Sequence, residues 1–421
     1  MKILWITNSL AFPDICMSLG MSEPQLGGWM KSMLSALREA RPMWQFGVAT
    51  LYSGTKRLLK KEINGVTYYC LPGNPAIEYK SSVEVYWKEV RADFAPDVVH
   101  IHGTEFAHGL AYLRVCGGER VCVSLQGLMS GIERYNLGGI PMDTLKKYRT
   151  LYDFLKTSVV TMQSTMPSRI KMEKEYFTRC KHIVGRTEWD RTHLWAINPS
   201  ASYYFCNENL RDTFYDARRW QYSLCEKHRI FLSQAASPLK GIQKVIEALP
   251  IVLVHYPDTE VYVAGQDYTR KGTLKEKLKF RAFPNYICHL MQRFGVQDRI
   301  HFTGFLDAEG MKEQYLKANV FVCPSSVENS PNSLGEAQMV GTPCVAAASG
   351  GIPSMVVHSK TGLLYRFEEH EQMARYICDI FADCSLADSL STNEHEEAKQ
   401  RHDKLVNAMR MVEIYNEVLK S

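Results

Sequence analysis

Glu328 and Glu336 stand with seven residues between them in the run Val-Cys-Pro-Ser-Ser-Val-Glu-Asn-Ser-Pro-Asn-Ser-Leu-Gly-Glu-Ala-Gln, residues 322–338. The run begins as the end of an apolar strand, passes through a polar turn and becomes a helix. Pro331 suits a first helical position, and Asn332 and Ser333 are good capping residues. Free backbone N–H groups at such a start, from Asn332 to Leu334, favour an anion such as a diphosphate. A carboxylate repels a phosphate at contact distance. The two acids therefore read as hydroxyl acceptors on either side of a phosphate, one for a ribose and one for a second sugar. Taken alone, the same turn is equally a capped helix carrying two solvated acids.

The residues that follow, Val340-Gly-Thr-Pro-Cys-Val-Ala-Ala-Ala-Ser-Gly-Gly-Ile-Pro and then Thr361-Gly-Leu-Leu-Tyr, extend the pattern. The whole run resembles the donor-binding half of the retaining family-4 glycosyltransferases (glycosyl transferases group 1). Glu328, Glu336, Gly341, Pro343, Val345, Gly350, Gly351, Pro353 and 361–364 match in order and spacing, and Cys344 replaces a customary Val. The resemblance spans nearly the whole chain, but its motifs concentrate between 229 and 365. It implies an α/β chain of GT-B fold: two Rossmann-like domains facing a cleft, with the C-terminal helix packing back on the first.

Further roles follow from the resemblance. Gly27 and Gly28 would bring backbone close to the donor, while His102 and Glu105 at a strand end would contact the acceptor or the donor sugar. Gln126 stands where a His contacts the donor sugar. It can orient a substrate but cannot titrate, so it cannot be a general base. Lys240 fits the phosphate-binding Lys, whereas Gln234 and Ala235 replace the Gly-Arg that precedes it. Arg186 is the candidate to supply the missing cation, with an ion pair to Asp190 as its structural alternative. Leu306 would border the nucleotide base. Glu336 would hold the ribose, and Glu328 a hydroxyl of the transferred sugar.

The implied reaction is retaining, metal-independent hexosyl transfer from a nucleotide diphosphate sugar, with no cofactor. UDP is the more common donor base, and GDP stays open. The acceptor would be a glycan or lipid-linked saccharide in polysaccharide biosynthesis. Two other readings remain: a UDP-sugar 2-epimerase of the same fold, and a catalytically weak nucleotide-sugar-binding subunit suggested by Gln126 and Ala235.

The elements that must position these residues are legible in outline. A chain of 421 residues exceeds one ordinary core. Strand patterns at 3–6, 46–51, 66–71, 98–102 and 121–125 alternate with helical ones such as 29–40. A second series follows at 230–232, 261–264, 300–302, 320–322 and 345–347. Such alternation predicts parallel sheets covered on both faces. The expected division is 1–205 plus a long helix at 393–421 for the acceptor domain, and 206–392 for the donor domain, with an irregular crossover at 200–228.

Net charge of +5 does not by itself imply nucleic acid, and no apolar run of about 18 residues is present to cross a membrane. Twelve scattered cysteines without a Cys-x-x-Cys pair read as reduced thiols in a cytoplasmic protein. Between 143 and 181 the pattern is helical and basic: Lys146, Lys147, Arg149, Lys156, Arg169, Lys171, Lys174, Arg179 and Lys181 outnumber the acids. This is either a solvated face or a peripheral contact with an anionic membrane.

Overall fold

The computed structural model describes residues 1–421 apart from Glu23, Gln25, Leu26, 75–78, Lys156, Thr157, Lys271 and 274–279. It divides into two compact units, Met1–Ser130 with Pro167–Asp212 and His402–Ser421, and Gly131–Met166 with Thr213–Arg401. The second unit takes in a stretch, Gly131–Met166, that the sequence reading left inside the 1–205 domain.

The first unit is built on an eight-stranded sheet in the order β3-β4-β2-β1-β5-β6-β7-β8. Its strands are β1 (Lys2–Thr7), β2 (Gln45–Tyr52), β3 (Leu59–Ile63), β4 (Val66–Pro72), β5 (Val98–His102), β6 (Val121–Ser124), β7 (His182–Gly185) and β8 (Ser202–Phe205). All pairings are parallel except β3 with β4. That hairpin turns at Asn64-Gly65, both with positive φ, as a two-residue hairpin turn demands. In the central strand β1, successive side chains alternate between faces. Ile3 and Trp5 enter one core with Leu37, Tyr415 and Val418, while Leu4 and Ile6 enter the other with Trp87 and Tyr176.

The second unit carries a six-stranded, wholly parallel sheet in the order β11-β10-β9-β12-β13-β14. The strands are β9 (Arg229–Leu232), β10 (Glu260–Val263), β11 (Ile300–Phe302), β12 (Val320–Cys323), β13 (Cys344–Ala347) and β14 (Leu363–Tyr365). Chain order reverses at β1 in one sheet and at β9 in the other. Carboxyl ends of the strands beside such a reversal are where open α/β sheets bind ligands.

Three expectations need correction. The stretch 200–228 is not uniformly irregular, because it contains the edge strand β8. Its side chains are half-exposed or exposed, so no clear alternation marks it. The terminal helix is two helices, Cys384–Arg401 and Lys404–Lys420. They break at buried His402, whose Nδ1 bonds the Glu208 carbonyl (2.7 Å), and at Asp403, which accepts from the Val406 amide (2.8 Å) and starts a new helix. The second of them belongs to the first unit, where the Tyr415 hydroxyl accepts from Trp5 Nε1 (2.9 Å). The basic region is likewise split, into Met142–Lys147, Leu151–Leu155, Val159–Met162 and Met166–Arg179, and Lys156 lies outside the described residues. No helix among the described residues is long and apolar enough to cross a membrane.

Candidate active site

In the second unit, β9 leads into Ser233–Gly241 and β12 into Pro324–Pro331. A short 3-10 turn, Pro238–Lys240, ends at Gly241. Gly241 has φ +75°, and a Cβ there would lie 1.7 Å from the Pro324 carbonyl oxygen, so the two loops approach at a distance only glycine permits. The Ser326 amide donates to the Leu239 carbonyl (2.8 Å) and ties them together. Lys240 therefore sits on the turn that leads into the helix Ile242–His255. Its Nζ lies 2.5 Å from Glu328 Oε1, which also accepts from Ser325 Oγ (2.9 Å). Burial pushes the neighbouring Cys323 thiol up to about 12, keeping it protonated at neutral pH.

The Gly350-Gly351 turn holds Glu328 from behind. The Gly351 amide donates to the Glu328 carbonyl (2.7 Å), and Gly350, at φ +55°, passes so close that a Cβ would sit 2.0 Å from that oxygen. The following helix is Asn332–Val340. Pro331 is its N-cap and not its first helical residue, and Asn332 and Ser333 are the first helical residues and not caps. The N-cap residue Pro331 supplies no side-chain cap. The first intrahelical bonds come from Leu334 and Gly335 to the Pro331 carbonyl, so the Asn332 and Ser333 amides precede them. Glu336 is buried on this helix. Gln234 is exposed after β9, and Leu306 is half-exposed after β11, at the same carboxyl edge of the sheet. The Ala235 carbonyl accepts from the Tyr268 hydroxyl (2.7 Å).

In the first unit, the carboxyl ends of β5 to β8 converge. His102 is buried between Trp5 (centroids 4.5 Å) and Trp29 (5.7 Å), and neither ring nitrogen has a hydrogen-bond partner among the described residues. Burial holds its pKa well below the usual histidine range, so it is neutral. Glu105 Oε1 accepts from the Gly127 amide (2.5 Å), linking the β5 end to the β6 end. Burial pushes the Glu105 carboxyl upward. Gly27 takes a left-handed conformation at the N-cap of the helix Gly28–Ala40, and its absent Cβ leaves room for Ala11.

Gln126 and Arg186 meet through Glu208, a residue sequence reasoning missed. Glu208 Oε1 accepts from Gln126 Nε2 (2.9 Å) and lies 2.8 Å from Arg186 Nη1, and both charged side chains are buried. The alternative of an Arg186–Asp190 ion pair does not form. The Asp190 carboxylate instead accepts from the Arg186 and Thr187 backbone amides (3.0 and 3.4 Å), and Thr187 caps the helix Glu188–Ile197. The only sequence signal for Glu208 was its place just after β8, a strand that was itself missed.

Residues 216–397, inside the second unit, match the family described as glycosyl transferases group 1. The chain is 24% identical over 361 residues to YtcC of Bacillus subtilis (strain 168), a protein named as a putative glycosyltransferase; the match covers 85% of this chain and 79% of that one. Sucrose-phosphate synthase from Thermosynechococcus elongatus is similar in structure, with TM-score 0.73 and 17% identity over the whole of both chains. So is Anabaena Alr3699/HepE in complex with UDP and glucose, with TM-score 0.67 and 14% identity, covering 99% of this chain and 100% of that one.

Proposed function

Because the chain is a group 1 glycosyltransferase of GT-B fold, we propose that it is a family-4 enzyme moving a hexosyl group from a UDP-sugar to a glycan or lipid-linked acceptor. One observation carries this reading: the Lys240–Glu328 pair on the loops that lead, within the matched unit, to the helix start at Asn332. The UDP and glucose bound by the structurally similar HepE support the donor class.

In this mechanism the acceptor hydroxyl attacks the anomeric carbon on the face the nucleotide leaves, so configuration is retained. The carbon–oxygen bond to UDP breaks, the new glycosidic bond forms, and the hydroxyl proton passes to the leaving phosphate oxygen. Negative charge grows on the diphosphate as it departs. Lys240 and the Asn332 and Ser333 amides meet that charge without a metal, whereas the Leu334 amide is engaged by the Pro331 carbonyl; the effect is strongest when the charge is held ready in place. Glu336 takes the ribose hydroxyls and Glu328 a hydroxyl of the moving sugar. Gln126, His102 and Glu105 serve the sugar and the acceptor.

Peripheral membrane contact forms part of the proposal. The helix Leu151–Leu155 exposes Leu151, Phe154 and Leu155 at 84%, 71% and 76%, close in sequence to Lys146, Lys147 and Arg149. Large apolar groups beside cations suit an anionic bilayer. Twelve free thiols fit a reducing, cytoplasmic setting.

The deciding experiment is a thermal-shift panel of UDP, GDP and ADP with and without EDTA, followed by UDP-sugar turnover. Ligand at about 100 times its dissociation constant adds about 2.7 kcal/mol of stability. A shift with UDP that EDTA leaves unchanged, together with turnover, supports the proposal. A shift without turnover favours the binding-subunit reading, to which Ala235 in place of the phosphate-binding Arg points. No shift with any nucleotide overturns both.

A further inference from the structure

The first unit holds a side-chain chain that the proposed chemistry leaves unexplained. Gln126 is half-buried at the β6 end, and its amide nitrogen donates to Glu208 Oε1 at 2.9 Å. Glu208 is buried and its charge is matched by buried Arg186 at 2.8 Å. A carboxylate only accepts hydrogen bonds, so the nitrogen of Gln126 must face it and the amide cannot turn over without losing that bond. The Arg186 guanidinium, on a residue whose backbone amide is fixed by Asp190, pairs with the Glu208 carboxylate and holds it in place.

We infer that Glu208 is a positioning residue that fixes the Gln126 amide, so that Oε1 is held as a hydrogen-bond acceptor for a sugar hydroxyl. The inference rests on the donor-sugar reading above. Its consequence is specific. Glu208 takes one of the two N–H groups, which sets the amide's orientation and the direction of Oε1, an acceptor that pairs with O–H or N–H. The substrate group there must bring its own proton, as a ring hydroxyl does. Arg186 is engaged with Glu208, so the cation missing at Ala235 is not simply replaced by a free guanidinium.

The test uses the full chain as wild type, Glu208→Gln, Gln126→Glu and the Gln126→Glu/Glu208→Gln double variant. Selective 15N-glutamine labelling reports the Gln126 side-chain amide, assigned by its loss in Gln126→Glu. Its protons should be slow to exchange in wild type and become fast in Glu208→Gln. UDP affinity, read by calorimetry, should stay within about twofold, whereas kcat on a UDP-hexose panel should fall about tenfold or more, the scale of a hydrogen bond to a charged group. Gln126→Glu should fall further, because two carboxylates then face each other. The double variant should recover much of the loss, since the amide introduced at position 208 can donate to the carboxylate introduced at position 126, and an oxygen is presented again. An unchanged Gln126 amide or unchanged kcat in Glu208→Gln overturns the inference and leaves the transferase reading intact. Wild-type protein that binds no UDP overturns the donor reading and, with it, the role assigned to Gln126.

Discussion

Lys240 Nζ lies 2.5 Å from Glu328 Oε1, although 88 positions separate the two residues in the chain. Each comes from a loop at the carboxyl edge of one sheet, and the Gly241–Pro324 approach fixes the distance between those loops. In the proposed reaction Lys240 would present a compact positive charge to phosphate, with its carboxylate partner ordering it beforehand.

Removing either partner should damage chemistry more than folding. Lys240→Ala and Glu328→Ala should each lower turnover by about 100-fold or more, the scale for losing one prepositioned charge contact. Initial rates on the productive UDP-sugar check this, and near-normal rates in both would refute the assignment.

The backbone approach at Gly350 should matter beyond its left-handed conformation. Gly295 also has positive φ but would present its Cβ to open space, so Gly295→Ala should cost only the backbone strain of about 1–2 kcal/mol. Gly350→Ala must in addition displace the Glu328 carbonyl. It should melt lower than Gly295→Ala and lose UDP affinity. Equal melting and equal affinity in the two variants would exclude a special role for the Gly350 approach.

The exposed apolar group on Leu151–Leu155 should act on membranes and not on the isolated reaction. Replacing Leu151, Phe154 and Leu155 together by Ser should abolish co-sedimentation with anionic vesicles and leave turnover on soluble acceptors unchanged. Binding should weaken as salt rises, because the basic contribution is screened within about 10 Å at 0.1 M. Failure of the wild type to sediment with anionic vesicles at low salt sinks the membrane proposal.

Acid should destabilise the first unit through its buried histidines. His100 bonds the Tyr415 hydroxyl (2.7 Å) and Ser124 Oγ (2.6 Å), and its ring centroid is 4.0 Å from that of His102. Burial lowers its pKa to about 3, against about 6.5 in an unfolded chain. Its contribution is thus fully present above about pH 6.5 and is lost progressively as pH falls towards 3. His100→Gln does not titrate. The stability of the wild type relative to this variant should drop by about 2 kcal/mol between pH 7 and pH 5. A pH-independent difference in denaturant midpoints would contradict it.

Much of this was readable from the chain because it is local. A buried parallel strand is a short apolar run, and ten of the fourteen described strands were expected within a residue or so of their ends. The Glu328-to-Glu336 spacing, the turn between them and the Gly350-Gly351 pair lie within one strand–turn–helix and one turn, so residue type and spacing specify them. The same locality explains the misses. Strand β8 is a half-exposed edge without an alternating pattern, and a helical period cannot reveal that His402 turns inward to the Glu208 carbonyl.

What the sequence by itself determined was the fold class, the order of the strands and the candidate donor turn, each encoded by neighbours along the chain. Only the tertiary structure decided which side chains act together. Glu208 reaches Gln126 across 82 positions, and Tyr415 reaches Trp5 across 410. Such pairs depend on how the fold brings strand ends to one edge, as for Gln126 and Glu208, or lays a helix on the sheet, as for Tyr415 on β1. No local pattern encodes that edge, because each partner is compatible with many neighbours until the backbone path selects one.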